Sequence, residues 1–199
     1  MPTPDSDLHM AVTELFDGGI VNNEKIAAEI ARLVLESATE ANNDKAHVPG
    51  STVEVSIAEN DDAWLATVCS TPQQDVAAAR PLRIEIRKRD ARVRILAGPQ
   101  LRYLLASHVA AENFAAVLVT NAAGEEELQR QMPLIVNDNG DTWLVNGRGN
   151  VTHAKEGPGP FRLEVEKTDG RVLDMWFEWV IEMPPSVQAL LSRNVRSNS

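Results

Sequence analysis

The chain of 199 residues lacks the features that several classes of protein require. It has one cysteine, Cys69, which excludes an internal disulfide framework and a metal site built from cysteines. No apolar run approaches the roughly eighteen residues that a membrane helix needs. The N-terminal sequence Met-Pro-Thr-Pro-Asp-Ser-Asp is acidic, whereas a secretory signal is basic and then apolar. We therefore expect a globular protein that folds and stays in the cytoplasm, without a membrane partner.

Basic residues are also scarce. The chain has 19 lysines and arginines against 29 aspartates and glutamates, which gives a net charge of −10. Nucleic acids and anionic membranes repel a protein of this charge, so neither is an expected partner. A basic protein partner is compatible with it. The hydrophobic fraction of 43% is typical of globular proteins, and the length allows one medium domain or two small ones.

The second half of the chain repeats the first at a shift of 79 residues. Between Val55 and Ile95, 11 of 41 positions are identical to the residue 79 places later, where chance would give roughly two or three. The shift places Trp64 on Trp143 without a gap. This pattern predicts a tandem duplication, with one unit at residues 1–98 and a second at 99–199.

Alternating apolar and polar residues predict the strands of each unit. The alternation has a period of two over residues 52–57 and 82–87, which is typical of half-buried strands. Asp-Gly at 169–170, between two alternating runs, is a strong hairpin signal. Each unit is therefore predicted to have four antiparallel strands in two hairpins, and the glycine-rich stretch 147–159 is predicted to be an irregular loop.

Helices are predicted ahead of both sets of strands. Residues 22–35 form an amphipathic pattern, and the stretch 107–120 is ambiguous alone but is assigned as a helix by the repeat. Short helical turns are predicted at 99–105, opened by Pro99, and at 186–192, opened by Pro185. The predicted apolar faces are Ile26, Ile30, Leu33 and Val34 in the first helix, and Val109, Phe114, Val117 and Leu118 in the second. The predicted fold class is α+β, with two tandem cone-shaped units, each a helix packed on a curved four-stranded antiparallel sheet.

Several short motifs occur together in the second unit. They are Gly-Glu at 124–125, Gln-Met-Pro-Leu at 131–134, Trp-Leu-Val-Asn-Gly at 143–147 and Lys-Thr-Asp-Gly-Arg-Val at 167–172. Together they resemble immunity proteins with a nuclear-transport-factor-two-like fold, from bacterial polymorphic toxin systems. The first unit matches more loosely, with Ala66 to Cys69 in place of Val-x-Gly. The resemblance implies a cone fold and a role in neutralising a toxin.

No residue pattern points to catalysis or to a bound group. The four histidines are not spaced as metal ligands, and the chain has no nucleophile elbow and no phosphate-binding loop. His108 is expected either to face the cone interior or to face solvent. Cys69 is expected to be a small buried residue. Trp64 and Trp143 are assigned to core packing, with ligand stacking as the alternative. We therefore predict no catalytic residue, no cofactor and no metal.

Two functional hypotheses from different classes follow, with a third behind them. The first is an immunity protein that binds a cognate, basic toxin domain and covers its active site. The acidic residues expected to contact it are Asp61, Asp62, Asp138 and Asp141 at matching hairpin turns, and Glu125, Glu126 and Glu127. The second is a ligand-binding or catalytic protein that uses a cavity beneath the sheet, and the third is a scaffold or secretion adaptor. Because cone domains commonly pair through their sheets, the duplication also predicts an internal pseudo-dimer and a monomeric chain.

Overall fold

A computed structural model describes residues 19–41, 52–71, 81–148 and 156–181. Within these residues the chain forms three helices and eight strands. In chain order they are α1 (Glu24–Ala41), β1 (Thr52–Glu59), β2 (Ala63–Thr71), β3 (Leu82–Arg87), β4 (Val93–Ala97), α2 (His108–Ala123), α3 (Glu125–Gln131), β5 (Ile135–Asn139), β6 (Thr142–Asn146), β7 (Glu156–Glu166) and β8 (Val172–Ile181).

The strands form two separate four-stranded antiparallel sheets. The first sheet has the order β1-β2-β3-β4 and the second has the order β5-β6-β7-β8. The register repeats between them, because Trp64 lies opposite Ile86 in the first sheet and Trp143 lies opposite Val165 in the second. The predicted α+β fold of two tandem units is confirmed.

The helices begin at equivalent caps. The backbone N–H of Ile26 donates to Oδ1 of Asn23 at 3.2 Å, and the backbone N–H of Ala110 donates to Oγ of Ser107 at 3.2 Å. These caps are 84 positions apart, whereas the strands are 79 positions apart. The second unit is therefore five residues shorter between cap and strands, although it also includes α3. The ambiguous stretch at 107–120 is helical, as the repeat predicted.

Most of the predicted apolar faces are buried. In α1, Leu33 is half-buried and the other three predicted residues are buried. In α2, Phe114 and Leu118 are buried, but Val109 is 50% exposed. Val109 lies two residues before the buried Ala111, about 200° round the helix, so it faces away from the core. Its predicted burial was wrong.

Both tryptophans that the two units share lie in the core, on the buried face of their sheets. The indole N–H of Trp64 donates to the carbonyl oxygen of Val21, and that of Trp143 donates to the carbonyl oxygen of Leu105, each at 2.8 Å. Their predicted core packing is confirmed. Cys69 is exposed rather than buried, because it follows the buried Val68 in a strand whose side chains alternate between the two faces.

The units contact each other through helices and turns. Helices α1 and α2 lie against each other, and Ile30 and Phe114 line one small cavity between them. The side-chain amide of Asn121 donates to the carbonyl oxygen of Ile20 at 2.8 Å. The described residues on the outer face of each sheet are exposed or half-buried. The expectation that the units pair through their sheets is therefore wrong, because the helices provide the apolar surface between them.

Three further expectations concern the connections. The stretch 99–105 is not helical, because the backbone N–H groups of Leu104 and Leu105 donate to the carbonyls of Thr168 and Lys167 instead. The last four residues of the stretch predicted as a loop, 156–159, belong to β7 and pair with β8. The remainder of that loop from residue 149, and the helical turn predicted at 186–192, lie outside the described residues.

Candidate functional site

Four turns lie side by side where the two units meet. They are residues 60–62 between β1 and β2, 88–91 between β3 and β4, 167–170 between β7 and β8, and 140–141 between β5 and β6. We call these residues the turn row. Within each sheet the two turns lie at the same end, because consecutive antiparallel hairpins return to it. The turn row contains Asp61, Asp62 and Asp141 from the candidate acidic residues.

The outer turns of the row are 60–62 and 140–141, and the inner turns are 88–91 and 167–170. Backbone hydrogen bonds connect each outer turn to the inner turn of the same unit. In the first unit, the N–H of Lys88 donates to the carbonyl of Asp62 at 2.9 Å. In the second, the N–H of Lys167 donates to the carbonyl of Asp141 at 3.0 Å. The positive φ of 77° at Gly140 suits the first central position of a two-residue hairpin turn, where glycine is favoured. These bonds fix the backbone of the acidic turns.

The two inner turns bond to each other across the junction of the units. The N–H of Val93 donates to the carbonyl of Asp169 at 2.8 Å, and the N–H of Val172 donates to the carbonyl of Asp90 at 2.9 Å. Nε of Arg92 also donates to Oδ2 of Asp169 at 2.7 Å. The four turns are thus one continuous hydrogen-bonded row.

Beside each outer turn, one lysine pairs with one acidic residue. In the first unit, Nζ of Lys88 donates to Oε1 of Glu59 at 2.7 Å and lies 5.0 Å from the centre of the Trp64 ring. In the second, Nζ of Lys167 donates to Oδ1 of Asp138 at 2.6 Å. This Nζ lies 4.2 Å from the centre of the Trp143 ring. A cation over an indole face is attracted by the ring, so each lysine binds both an acid and an aromatic ring.

The Asp138 carboxylate is the candidate residue with a shifted pKa. Its pKa is lowered from the ordinary value of 3.8, first by the hydrogen bond from Lys167 and then by the backbone N–H of Gly140. That N–H donates to Oδ1 at 2.9 Å. Both donors favour the ionised carboxylate. Asp138 is therefore already paired within the chain, and this makes it a weaker contact for a partner than the sequence suggested.

Asp61, Asp62 and Asp141 differ from Asp138. All three side chains are exposed, and none makes an ion pair with another residue in the described part of the chain. Their backbones are fixed by the turn row, while their carboxylates face solvent. They are the members of the predicted set that the structure places together and leaves accessible.

The three consecutive glutamates lie elsewhere. They form the first turn of α3, and eight residues separate the end of α3 from the 140–141 turn. Five of these residues are β5, which spans about 16 Å of extended chain. Glu125 and Glu126 are exposed, and Arg130 bonds Glu126 at 2.7 Å. Glu127 is only 4% exposed, because its carboxylate accepts a bond of 2.6 Å from the buried amide of Gln131. Glu127 is therefore a structural residue and is unavailable to a partner.

Sequence reasoning missed Glu59 and the inner turns. The signal for them was in the repeat, because three of its identities fall on the inner turns and pair Lys88, Asp90 and Arg92 with their counterparts 79 places later. Identity at charged turn positions indicates shared contacts rather than shared core packing. The acidic side chains of the turns carried the prediction from sequence, so the junction between the units was not predicted.

Metal clusters and cavities are the other features that could carry chemistry. Across the ranges that the structure describes, no three His, Cys, Asp or Glu side chains are grouped so that they could hold a metal ion. His108 is exposed at the start of α2. The cavity between α1 and α2 measures about 40 Å³. An open groove of about 410 Å³ is lined in part by Asn23, Ile26, Val117 and Asn121.

Comparisons with protein-family models, with curated proteins and with solved structures found no match to this chain. None of the described helices is long and apolar enough to cross a membrane.

Proposed function

We propose that the chain is an immunity protein, which neutralises a cognate toxin acting in the cytoplasm by binding its catalytic domain and covering the active site. The partner is a basic protein domain, and binding involves no turnover. The observation that carries the proposal is the turn row, where Asp61, Asp62 and Asp141 are exposed on a backbone that the neighbouring turns fix in place. The motifs of the second unit, which resemble those of immunity proteins, support it.

The electrostatics suit such an inhibitor. A net charge of −10 attracts a basic domain at long range and raises its association rate. The acidic turns then supply short-range contacts, and little conformational entropy is lost because their backbones are already ordered. Lys88 and Lys167 do not compete for these contacts, because each is engaged by an acid and a tryptophan ring.

Growth rescue tests the proposed function directly. The toxin domain encoded beside this chain is expressed with and without it, and surviving cells are counted. We expect survival together with a complex that co-purifies. Continued killing in the presence of soluble, abundant chain would refute the proposal.

Charge reversal tests the contribution of the turn row. Asp61→Lys combined with Asp141→Lys should slow association with the same toxin domain at least tenfold at low salt, because opposed charges no longer steer the encounter. The matched control combines Glu36→Lys with Glu54→Lys, two exposed positions outside the turn row that change the net charge equally. Equal slowing by both pairs would mean that only the overall charge matters, and the turn row would be discarded as the contact site.

A further inference from the structure

The outer face of the second sheet, the face opposite the core, has an ordered set of side chains. The register aligns them in two rows across the strands. The first row is Ile135, Asn146, Arg162 and Trp176. The second row is Asn137, Leu144, Glu164 and Asp174. We call these eight residues the second outer face.

The duplication supplies an internal control for this surface. By strand pairing, the corresponding rows of the first sheet are Ser56, Thr67, Arg83 and Ala97, followed by Ala58, Leu65, Glu85 and Arg94. Seven of these positions also correspond by the shift of 79 residues. The eighth does not, because the β-bulges fall at different places in the two sheets and bring Arg94 rather than Ile95 opposite the glutamate. We call them the first outer face. The arginine, the leucine and the glutamate at the centre are the same in both. Three edge positions differ sharply: the second outer face has isoleucine in place of serine, tryptophan in place of alanine, and aspartate in place of arginine.

The change from arginine to aspartate places two like charges opposite each other on the second outer face. In the first sheet, Arg94 lies opposite Glu85 and pairs with it at 3.4 Å. In the second, Asp174 lies opposite Glu164, and like charges in this position repel each other. Neither carboxylate has an ion pair in the described part of the chain, although Thr142 donates to Glu164 at 3.1 Å. A cation from another molecule would relieve this repulsion.

The other two changes add apolar surface around that charge. Ile135 is 45% exposed, and Trp176 is half-buried at the opposite end of the same row. Leu173, which the register leaves unpaired between Val172 and Asp174, is also 45% exposed. Tryptophan, flanked by other apolar side chains and by arginine, is typical of the centre of protein interfaces.

The second outer face is continuous with the turn row. Asn139 and Thr142 form the strand pair that closes the 140–141 turn, and the hydroxyl of Thr142 reaches Glu164 in the second row. The exposed Asp141 therefore lies at one end of this face. A partner that contacts this acidic turn lies next to the repelling carboxylates.

We propose that the second outer face is a docking surface for a protein that presents a lysine or arginine beside an apolar side chain. The cation lies between Glu164 and Asp174, and the apolar side chain contacts Trp176 and Ile135. This proposal rests on the proposed function, because it takes the toxin domain as the partner. It assigns this contact to the second unit rather than to both.

The first unit provides the substitutions for the test. Asp174→Arg, Ile135→Ser and Trp176→Ala each introduce the residue that the first sheet carries at the corresponding paired position. Asp174→Arg and Ile135→Ser change exposed side chains, whereas Trp176 also packs against the core. The matched control is Arg94→Asp, the reverse change on the first outer face. The affinity of each full-length variant for the toxin domain encoded beside the chain is measured by calorimetry, and its folding is checked by thermal unfolding.

We expect Asp174→Arg to weaken binding at least tenfold, because it places a cation against the cation of the partner. Trp176→Ala should weaken binding about 30-fold or more, as for tryptophans at interface centres. Arg94→Asp should stay within about twofold. If Trp176→Ala reduces folding stability, Asp174→Arg still provides the test, because Asp174 is exposed.

Three other results would overturn the proposal, and each of them points to a different cause. If the unmodified chain binds and the three substitutions leave affinity unchanged, the docking surface is wrong while the proposed function stands. If the unmodified chain does not bind the toxin domain, both are wrong. If the chain is a dimer that Trp176→Ala converts to a monomer, the occupant is a second copy of the chain, and the proposal is again overturned.

Discussion

The backbone N–H of Val93 donates to the carbonyl oxygen of Asp169 at 2.8 Å, and the matching bond runs back from Val172 to Asp90 at 2.9 Å. The two donors are equivalent positions of the repeat, as are the two acceptors. The exchange is therefore isologous, as in a twofold dimer, although both partners belong to one chain. These two bonds use main-chain atoms, so they depend on the backbone shape of the inner turns more than on their side chains.

The backbone shape of the inner turns predicts that substitutions at two equivalent turn positions change the free energy of unfolding by unequal amounts. Gly170 has a φ of 69°, and a Cβ there would lie 2.9 Å from Cδ2 of Leu104. Gly170→Ala should therefore lower the free energy of unfolding by about 1–2 kcal/mol, through backbone strain and crowding. Urea denaturation measures the change.

The control for this substitution is the same position of the first unit. Ala91 already has a φ of 57° with its methyl group fully buried. Ala91→Gly relieves the strain but loses the buried methyl and gains freedom in the unfolded chain, so the net change should stay within about 1 kcal/mol. A loss as large as that of Gly170→Ala would show that the two turns are not equivalent.

The repeated tryptophans provide a second prediction. Trp64→Phe removes the indole N–H and leaves the buried carbonyl of Val21 without this donor, and Trp143→Phe does the same at Leu105. We expect each change to cost about 2–3 kcal/mol of unfolding free energy, from the unpaired carbonyl and the smaller ring. Each variant is the control for the other, since their surroundings match. A cost confined to one unit would contradict equivalent packing.

A third prediction concerns the buried amide that joins α3 to the second sheet. Oε1 of Gln131 accepts the backbone N–H of Phe161 at 3.1 Å, and its Nε2 donates to Glu127. Gln131→Leu leaves that N–H unsatisfied and should cost about 1–3 kcal/mol. Equilibrium unfolding in urea measures it.

The same contact explains why residue 147 is glycine. A Cβ on Gly147 would lie 2.2 Å from Oε1 of Gln131, so Gly147→Ala should also destabilise the chain. Gln131→Ala removes Oε1 and Cδ, two of the three atoms that such a Cβ would meet, and keeps the Cβ of residue 131 at 2.9 Å. The double substitution should therefore cost less than the sum of the two single ones. Additive costs would mean that the glycine is required for another reason.

The strands and helices could be predicted because their signals are local or repeated. The alternation over residues 82–87 coincides with β3, since a half-buried strand requires a period of two. Ser107 to Thr120 was ambiguous in isolation, and the first unit resolved it. The stretch 99–105 was wrongly predicted as helical. Its backbone donors bond a turn some sixty residues away in sequence, and no local pattern records that contact.

The candidate site was predictable only in part. The acidic turns were found because exposed aspartates cluster at hairpin turns in the sequence. The orientation of Glu127 was not predictable, since three consecutive glutamates give no phase for the helix. Its burial follows from Gln131, one turn later, which lies in the core. The unpaired charge of Asp174 depends on the strand register, which a β-bulge near Val165 shifts, so the sequence alone did not place it opposite Glu164.

The last prediction uses the shifted pKa of Asp138. Because the pKa of this carboxylate is lower in the folded chain than its ordinary value of 3.8, ionised Asp138 stabilises the folded state above that value. The stabilisation is lost as the pH falls through the folded pKa. Asp138→Asn should therefore reduce stability at neutral pH, and the difference from the unmodified chain should shrink below pH 3.8. Urea denaturation over a pH series measures it. In a Lys167→Gln background the largest cause of the shift is absent, so the same substitution should show a much weaker pH dependence. A difference that is unchanged by Lys167→Gln would mean that the Lys167 bond does not lower the pKa, and that Asp138 is available to a partner after all.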